Sequence, residues 1–263
     1  MSTVKTDAIE TRAGGTSVLT IGTATQTIKL PGGTPGADKV LTSDASGNAT
    51  WADASSGGLL GLVVYTGDGT YSPGDTDNGT AGDEGSASVT KVIIEVQGGG
   101  GGGSKGTGGT YVICGSAGGY AKKFIDVSSM KTEEESATIT VGSAGAGKSV
   151  SGAGGDGGDS SWVSTGEVSL TVTGVKGVGA YSSYGTATGG AATNGDINIK
   201  GGDGYNNTNA RGGDSMFGCG GGNGWTGETV PGVGSGYGSG GGGGMNVNSA
   251  AGAPGLLLIW EYA

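Results

Sequence analysis

Hydrophobic positions along this chain come in short bursts separated by long stretches of glycine and small polar residues. The strongest bursts are Val92-Ile-Ile-Glu-Val96 and Leu256-Leu-Leu-Ile-Trp-Glu-Tyr262. The first alternates poorly, which predicts a strand over 89–96 buried on both faces. The second needs a sheet ready to receive it, and the place beside 92–96 is the expected one. In Ala137-Thr-Ile-Thr-Val141 and Val168-Ser-Leu-Thr-Val-Thr173 apolar residues alternate cleanly with Thr and Ser, the pattern of a sheet with one wet face. Further strands are predicted over 59–65, 111–114, 120–127 and 197–200, with an acidic loop over 68–85. One helix is predicted, over 128–136, with a Ser-x-x-Lys start and Glu133, Glu134 and Glu135; it is too short to be stable alone. The expectation is an all-β chain.

The first 56 residues predict strands over 18–21, 26–30, 39–42 and 48–52, with turns at Pro31-Gly32 and Ser46-Gly47-Asn48. They hold too few large apolar residues to bury a core of their own. Two readings follow: a flexible leader, or a short-stranded module that forms by intertwining with other chains. Ser55-Ser-Gly-Gly58 has linker composition. The expected division is therefore 1–56 and 57–263.

Composition changes the picture through glycine, which supplies 66 of the 263 residues and forms unbroken runs over 98–103 and 240–244. No residue loses more conformational freedom on folding, so this chain is either unfolded or using something that only glycine permits. Disorder usually combines low hydrophobicity with high net charge. Here hydrophobic content is 33% but charged content only 14%, at net charge −10. Strands also punctuate the glycine, so its segments are anchored at both ends. Glycine can form extended threefold helices whose backbone groups bond sideways to neighbours, with close backbone approach adding Cα–H···O contacts. A buried bundle of such helices would pair its N–H and C=O groups between segments. Any other residue inside it would point outward or sit at a loop tip. The fold expected for 57–263 is a β-sandwich-like glycine-rich domain with loops packed as polyglycine II.

Charge narrows the partners. Residues 57–97 hold Lys91 against Asp68, Asp75, Asp77, Asp83, Glu84 and Glu95. An acidic chain without a basic cluster is a poor nucleic-acid binder, because Lys and Arg contacts to phosphate supply most of that affinity. No apolar run reaches the roughly 18 residues of a membrane-spanning helix, and the N-terminus lacks the apolar centre of a secretory signal. Neither nucleic acid nor membrane insertion is expected. Cys114 and Cys219 permit at most one pairing, and free buried thiols are expected.

The candidate chemistry is mostly declined. Gly142-Ser-Ala-Gly-Ala-Gly-Lys148-Ser149 has the P-loop spacing, but that chemistry needs a helix immediately afterwards, and Val-Ser-Gly-Ala-Gly-Gly cannot supply one. Gly154-Gly-Asp156-Gly-Gly-Asp159 and Gly201-Gly-Asp203-Gly-Tyr-Asn206 echo a calcium-binding β-roll, which needs tandem copies; turn-forming Asp-Gly is the better account. The chain has no histidine, which excludes Ser-His and Cys-His pairs. Its adjacent carboxylates lie in a charged segment and in turns, where nothing apolar raises a pKa. No enzyme, cofactor or metal is expected.

The aromatics divide into two groups. Trp162, Trp260 and Phe124 lie in or beside predicted strands and are expected in the core. Tyr181, Tyr184, Tyr205, Trp225 and Tyr237 stand among Gly, Ser, Thr and Asn. Large rings in small-residue loops give contact area at low entropic cost, as at recognition surfaces; filling seams in the glycine packing or a trimer interface is an equal alternative for them.

Two segments carry family resemblances. The stretch LPGGTPGADKVLTSDASGNATWAD, residues 30–53, resembles the repeat of trimeric phage tail-fibre shafts and attachment segments. The ordered succession IIEVQGGGGGG, GGYAKKFIDVSS, ATITVGSAGAG, GGDGGDSSW, GDINIKGGDG and GAPGLLLIWEY, spread over about residues 88–263, resembles the glycine-rich domain at the distal ends of phage tail fibres and adhesins. Its composition is also similar to the distal adhesins of T-even phages, from which it departs at the N-terminus. The resemblance implies a virion tail-fibre protein, assembled in the host cytoplasm. It also implies a homotrimer joined to other tail proteins through residues 1–56. Its tip would meet a host surface receptor, a glycan or an outer-membrane protein, through loop aromatics. The alternative is a purely structural virion component such as a shaft, collar or decoration protein.

Overall fold

The computed structural model describes residues 58–73, 89–107, 112–130, 136–166, 168–181, 185–206, 210–225 and 230–263, together with the strand residues 20–21, 28–29, 39–43 and 49–53. The chain forms two compact units, Met1–Gly57 and Gly58–Ala263.

In the first unit β1 (Thr20–Ile21) pairs antiparallel with β2 (Ile28–Lys29), and β3 (Lys39–Ser43) with β4 (Ala49–Asp53). Leu41 stands opposite Trp51, and Val40 and Leu41 are both exposed. All four strands fall where turn chemistry and β-branched residues place them.

The second unit is built on two five-stranded antiparallel sheets. One consists of β5 (Leu59–Tyr65), β7 (Lys91–Gln97), β9 (Tyr120–Asp126), β14 (Ile197–Ile199) and β17 (Leu256–Tyr262), in the order β14-β9-β7-β17-β5. The other consists of β6 (Gly69–Tyr71), β10 (Ala137–Thr140), β11 (Ser160–Ser164), β12 (Leu170–Gly174) and β13 (Ala192–Thr193), in the order β13-β12-β11-β10-β6. Strand β17 lies between β5 and β7, with Ile259 opposite both Val63 and Ile94. The C-terminal apolar run thus lands beside 92–96, as its composition requires. Among the described residues there is no helix; the core of the expected helix, 131–135, lies outside them.

One hydrophobic core lies between the sheets. Val63, Tyr65, Val92, Ile94, Val96, Ala121, Ile125, Leu257 and Ile259 enter from the first sheet, and Tyr71, Ala137, Ile139, Trp162 and Val172 from the second. Tyr71 and Trp162 rings meet at 5.1 Å, tilted by 48°. A buried carboxylate, Glu261, shares this space and accepts a 2.7 Å hydrogen bond from Tyr71 Oη. Gly61 lies opposite it in register, and a β-carbon there would come within 3.3 Å of Glu261 Oε2.

Several expectations are corrected. β7 is not buried on both faces: Val92, Ile94 and Val96 are buried while Ile93 and Glu95 are only half-buried. Burial alternates because the sheet has one core face. Phe124, expected in the core, projects from the opposite face and is 50% exposed, since the core positions of β9 are Ala121 and Ile125. Trp260 shares that outer face and is half-buried, whereas Trp162 is fully buried. Residues 112–114 form an isolated bridge at Ile113 rather than a strand. Within 68–85, expected as loop, Gly69–Tyr71 adds an edge strand to the second sheet.

Beyond the strands the glycine is ordered. Each N–H of the run 98–103 donates to a different neighbour in strict rotation. Gly98 and Gly101 donate to Gly119 and Ser116, Gly99 and Gly102 to Gly158 and Gly155, and Gly100 and Gly103 to Ala253 and Ala250, all at 2.8–2.9 Å. Partners step back by three as the run steps forward by three, so these neighbours are antiparallel, and the period is that of a threefold helix. The carbonyls turn to three more segments. Gly99 and Gly102 accept from Gly177 and Ala180, Gly101 and Ser104 from Gly241 and Gly244, and Gly100 from Gly145. Six segments therefore surround the run, three taking its hydrogens and three giving theirs. This is polyglycine II packing, and it leaves no space for side chains: a β-carbon on any of residues 98–103 would lie 2.0–2.5 Å from a neighbouring carbonyl oxygen.

Side chains do occur in the lattice, contrary to the expectation that they would all point outward. Ala117, Ala180 and Ala187 are fully buried, as is Ser116. Each is small enough for the gaps, and Ser116 Oγ donates to the Thr188 carbonyl at 2.8 Å and accepts from Val178 N at 2.7 Å.

Candidate functional site

The lattice carries an open cleft of about 460 Å³ lined by Gly202, Asp203, Tyr205, Asn206, Ala210, Arg211, Gly212, Gly213 and Asp214. Its glycines are lattice members: Gly202 donates to Asp214 O, Gly212 to Gly221 O and Gly213 to Gly115 O, at 2.8–2.9 Å. Cys114 N donates to the Tyr205 carbonyl at 3.1 Å, so the Tyr205 backbone is anchored while its side chain remains free. The residue is 57% exposed.

Charge is arranged around this ring. Asp203 Oδ1 accepts from Gly189 N at 2.8 Å and from Lys200 Nζ at 2.6 Å. The Gly189 amide first, then the Lys200 ammonium, hold its carboxyl below the usual carboxylate range. Asp214 Oδ1 accepts from Gly220 N at 2.7 Å. Arg211 is exposed and its backbone bridges to Gly222. Tyr205, Asp203, Asp214, Arg211 and Asn206 thus line one open concave surface, a residue set able to hold a polar ligand with an apolar face.

A second, smaller recess continues from Asp214, lined by Gly118, Tyr120, Ile199, Lys200, Gly201, Ser215 and Met216. Phe217 packs on the Tyr120 ring nearby, with centroids 5.7 Å apart at 66°.

Of the five aromatics singled out from sequence, the structure places Tyr205 in the cleft. Tyr181 is 50% exposed at the end of the lattice segment 177–180. Tyr237 is half-buried between Gly236 and Gly238, whose φ values of 67° and 74° only glycine adopts readily. Its carbonyl accepts from Ser215 Oγ and its N–H reaches Phe217 O at 3.3 Å, so it is strapped down rather than displayed. Trp225 belongs to the two-residue strand β15 (Gly224–Trp225), which runs parallel to β16 (Gly244–Met245); β8 (Lys105–Gly106) flanks β16 on its other side. The side chain of Trp225, and all of Tyr184, lie outside the described residues. Sequence reasoning missed Arg211 and Asp214. Arg211 had a signal, being one of two arginines in the chain.

The Asp-Gly segments do a different job from the turns expected of them. Asp156 Oδ1 accepts from Gly179 N at 2.9 Å, Asp159 Oδ1 from Lys176 N at 2.8 Å and Asp68 Oδ1 from Val141 N at 2.8 Å. Carboxylates satisfy amides at the lattice edge, where no neighbouring carbonyl is available. The P-loop-like segment is committed in the same way: Gly145 N donates to Gly100 O and Lys148 N to Ser249 Oγ at 2.7 Å. Gly142 N likewise donates to Ser160 Oγ at 2.9 Å, so these three amides are spent within the protein. Of the two thiols, Cys114 is buried as expected and Cys219 is exposed, against the expectation. Burial pushes Cys114 up to about 11.

No protein-family model matches this chain, and no curated protein matches it either.

Proposed function

We propose that this chain is a phage tail-fibre protein whose glycine-rich unit, at the distal tip, binds a host surface receptor by non-covalent contact. The observation that carries the reading is the cleft around Tyr205 and Arg211, seated on a lattice too tightly packed to deform. Pre-organisation of this kind lowers the entropic cost of binding. Residues 1–56 serve as the attachment and trimerisation module, and three copies of a weak site gain by avidity. The protein works as an adhesin in the virion and not as an enzyme.

Purified protein is expected to bind host cells and to compete with particle adsorption. Tyr205→Ala and Arg211→Ala should each weaken competition about tenfold, the scale of one lost anchor contact, while leaving the melting temperature unchanged. A protein that neither binds cells nor competes with adsorption contradicts the proposal. A second reading, a purely structural virion component, is supported by the apolar outer face of the first sheet; there the wild type would fail to compete.

A further inference from the structure

The two outer faces of the sandwich differ in a way that solvent exposure does not explain. The outer face of the second sheet is formed by Thr70, Thr138, Thr140, Ser161, Val163, Thr171, Thr173 and Thr193, in register across the strands. That is an ordinary wet surface. The outer face of the first sheet is apolar. Register places Leu62, Trp260, Ile93 and Phe124 in one row across β5, β17, β7 and β9. The next row holds Val64, Leu258, Glu95, Lys122 and Ile197, and Ile199 follows beside Tyr120. Leu62, Val64, Phe124, Ile197 and Ile199 are each 42–51% exposed.

The one carboxylate in the middle of this face is fully engaged. Glu95 accepts from Trp260 Nε1 at 3.1 Å and Tyr120 Oη at 2.9 Å, and Lys122 Nζ lies 3.4 Å away. At the next row Lys91 stands opposite Asp126, and the charges again balance. A neutral, internally satisfied apolar face is placed on a chain of net charge −10.

We infer that this face of the β14-β9-β7-β17-β5 sheet is where copies of the chain pack against one another. Three arguments select a second copy as the occupant. Acidic chains repel each other everywhere except where charge is balanced, and this face is such a place. Its charges are paired within the chain, so it offers nothing to a charged partner of different sequence. With five contiguous side chains each 42–51% exposed, and about 200 Å² per large side chain taken from the aromatic scale, the exposed apolar area is on the order of 450 Å²; that is about half of the roughly 800 Å² per partner of a standard interface and as large as the functional patches of soluble monomers. The inference does not rest on receptor binding; it concerns assembly alone.

The test uses the full chain. Sedimentation velocity across about 1–100 µM measures stoichiometry, and hydrogen exchange reports protection of β5 and β14. Leu62→Lys with Phe124→Lys places charge on the face without touching the core; Leu62→Ser with Phe124→Ser is the milder pair if the first fails to fold. Val150→Lys and Val233→Lys, at exposed positions away from the sheet, are controls. The wild type and controls should be oligomeric. The face variants should associate at least tenfold more weakly, or, where residues 1–56 tether the copies independently, lose protection in β5 and β14. A wild type that is monomeric throughout this range overturns the inference. So do face variants that match the controls in both mass and exchange.

Discussion

Replacing Gly101 by alanine tests the lattice at its centre. The added β-carbon would lie 2.2 Å from Val178 O and 2.4 Å from the carbonyl carbon behind it, well inside contact distance, and both atoms are backbone. Relief requires one segment to move, and with it the bonds Gly101 N to Ser116 O at 2.8 Å and Gly241 N to Gly101 O at 2.9 Å. Overpacking costs about 1–3 kcal/mol, and each buried group left unpaired about 1–3 kcal/mol more. Against this, alanine restricts the unfolded chain and returns about 0.4–1 kcal/mol. The net loss is about 2–5 kcal/mol, a fall in Tm of roughly 5–15 °C for a unit of this size. Gly222 is the matched control: nothing lies within 4 Å of a β-carbon there, so Gly222→Ala should be neutral or raise Tm slightly. Thermal unfolding followed by circular dichroism measures both. A Gly101→Ala protein melting within 1–2 °C of wild type, a margin below about 1 kcal/mol, would refute steric exclusion as the reason for glycine, as would equal losses at both positions.

Other consequences follow from the same geometry. Tyr71→Phe removes the 2.7 Å bond to buried Glu261 and should cost about 1.5–3 kcal/mol, the range for hydrogen bonds to charged groups, seen as a lower denaturant midpoint. The carboxyls of Asp156 and Asp203 are held below their ordinary value chiefly by the Gly179 and Gly189 amides. A depressed folded pKa gives stability that is present above the unfolded value near about 4 and is lost as pH falls through the folded one. Tm should therefore drop steeply below about pH 4, and Asp156→Asn should flatten that slope; an unchanged slope in the variant contradicts the capping role. Thiol titration of the native protein at pH 8 should count one reactive cysteine, Cys219, and two after denaturation, because Cys114 is buried with its pKa near 11; two reactive thiols in the native state would contradict the packing.

Much of the fold is legible in the sequence because the strongest strands follow periodicity. The Thr-alternating segments at 137–141 and 168–173 lie in the sheet whose outer face is wet, and the run 256–262 pairs with 92–96. β11 escaped notice because Ser160-Ser-Trp-Val-Ser sits next to glycine and carries only one large core residue, Trp162. The polyglycine II packing is legible as a possibility from composition, but not which segments surround 98–103. Those partners are separated by as much as 153 positions (Gly100 from Ala253), and glycine offers no side chain to mark a register. The cleft was half legible: Tyr205 stands out as a ring among small residues, while Asp203, Arg211 and Asp214 look like loop charges until the lattice folds them around it. The apolar outer face was hidden by the assumption that Phe124 and Trp260 belonged to the core, since sequence periodicity cannot say which face of a two-faced apolar strand is covered.

The most direct test of the central claim, that the glycine is an ordered scaffold, is native-state hydrogen exchange of ¹⁵N-glycine-labelled protein followed by NMR. Every amide of residues 98–103 donates to a backbone carbonyl at 2.8–2.9 Å, and all six should exchange only through global unfolding, with the same protection as the amides of β7 and β17. Exchange of the run at random-coil rates, with β7 still protected, would contradict the account.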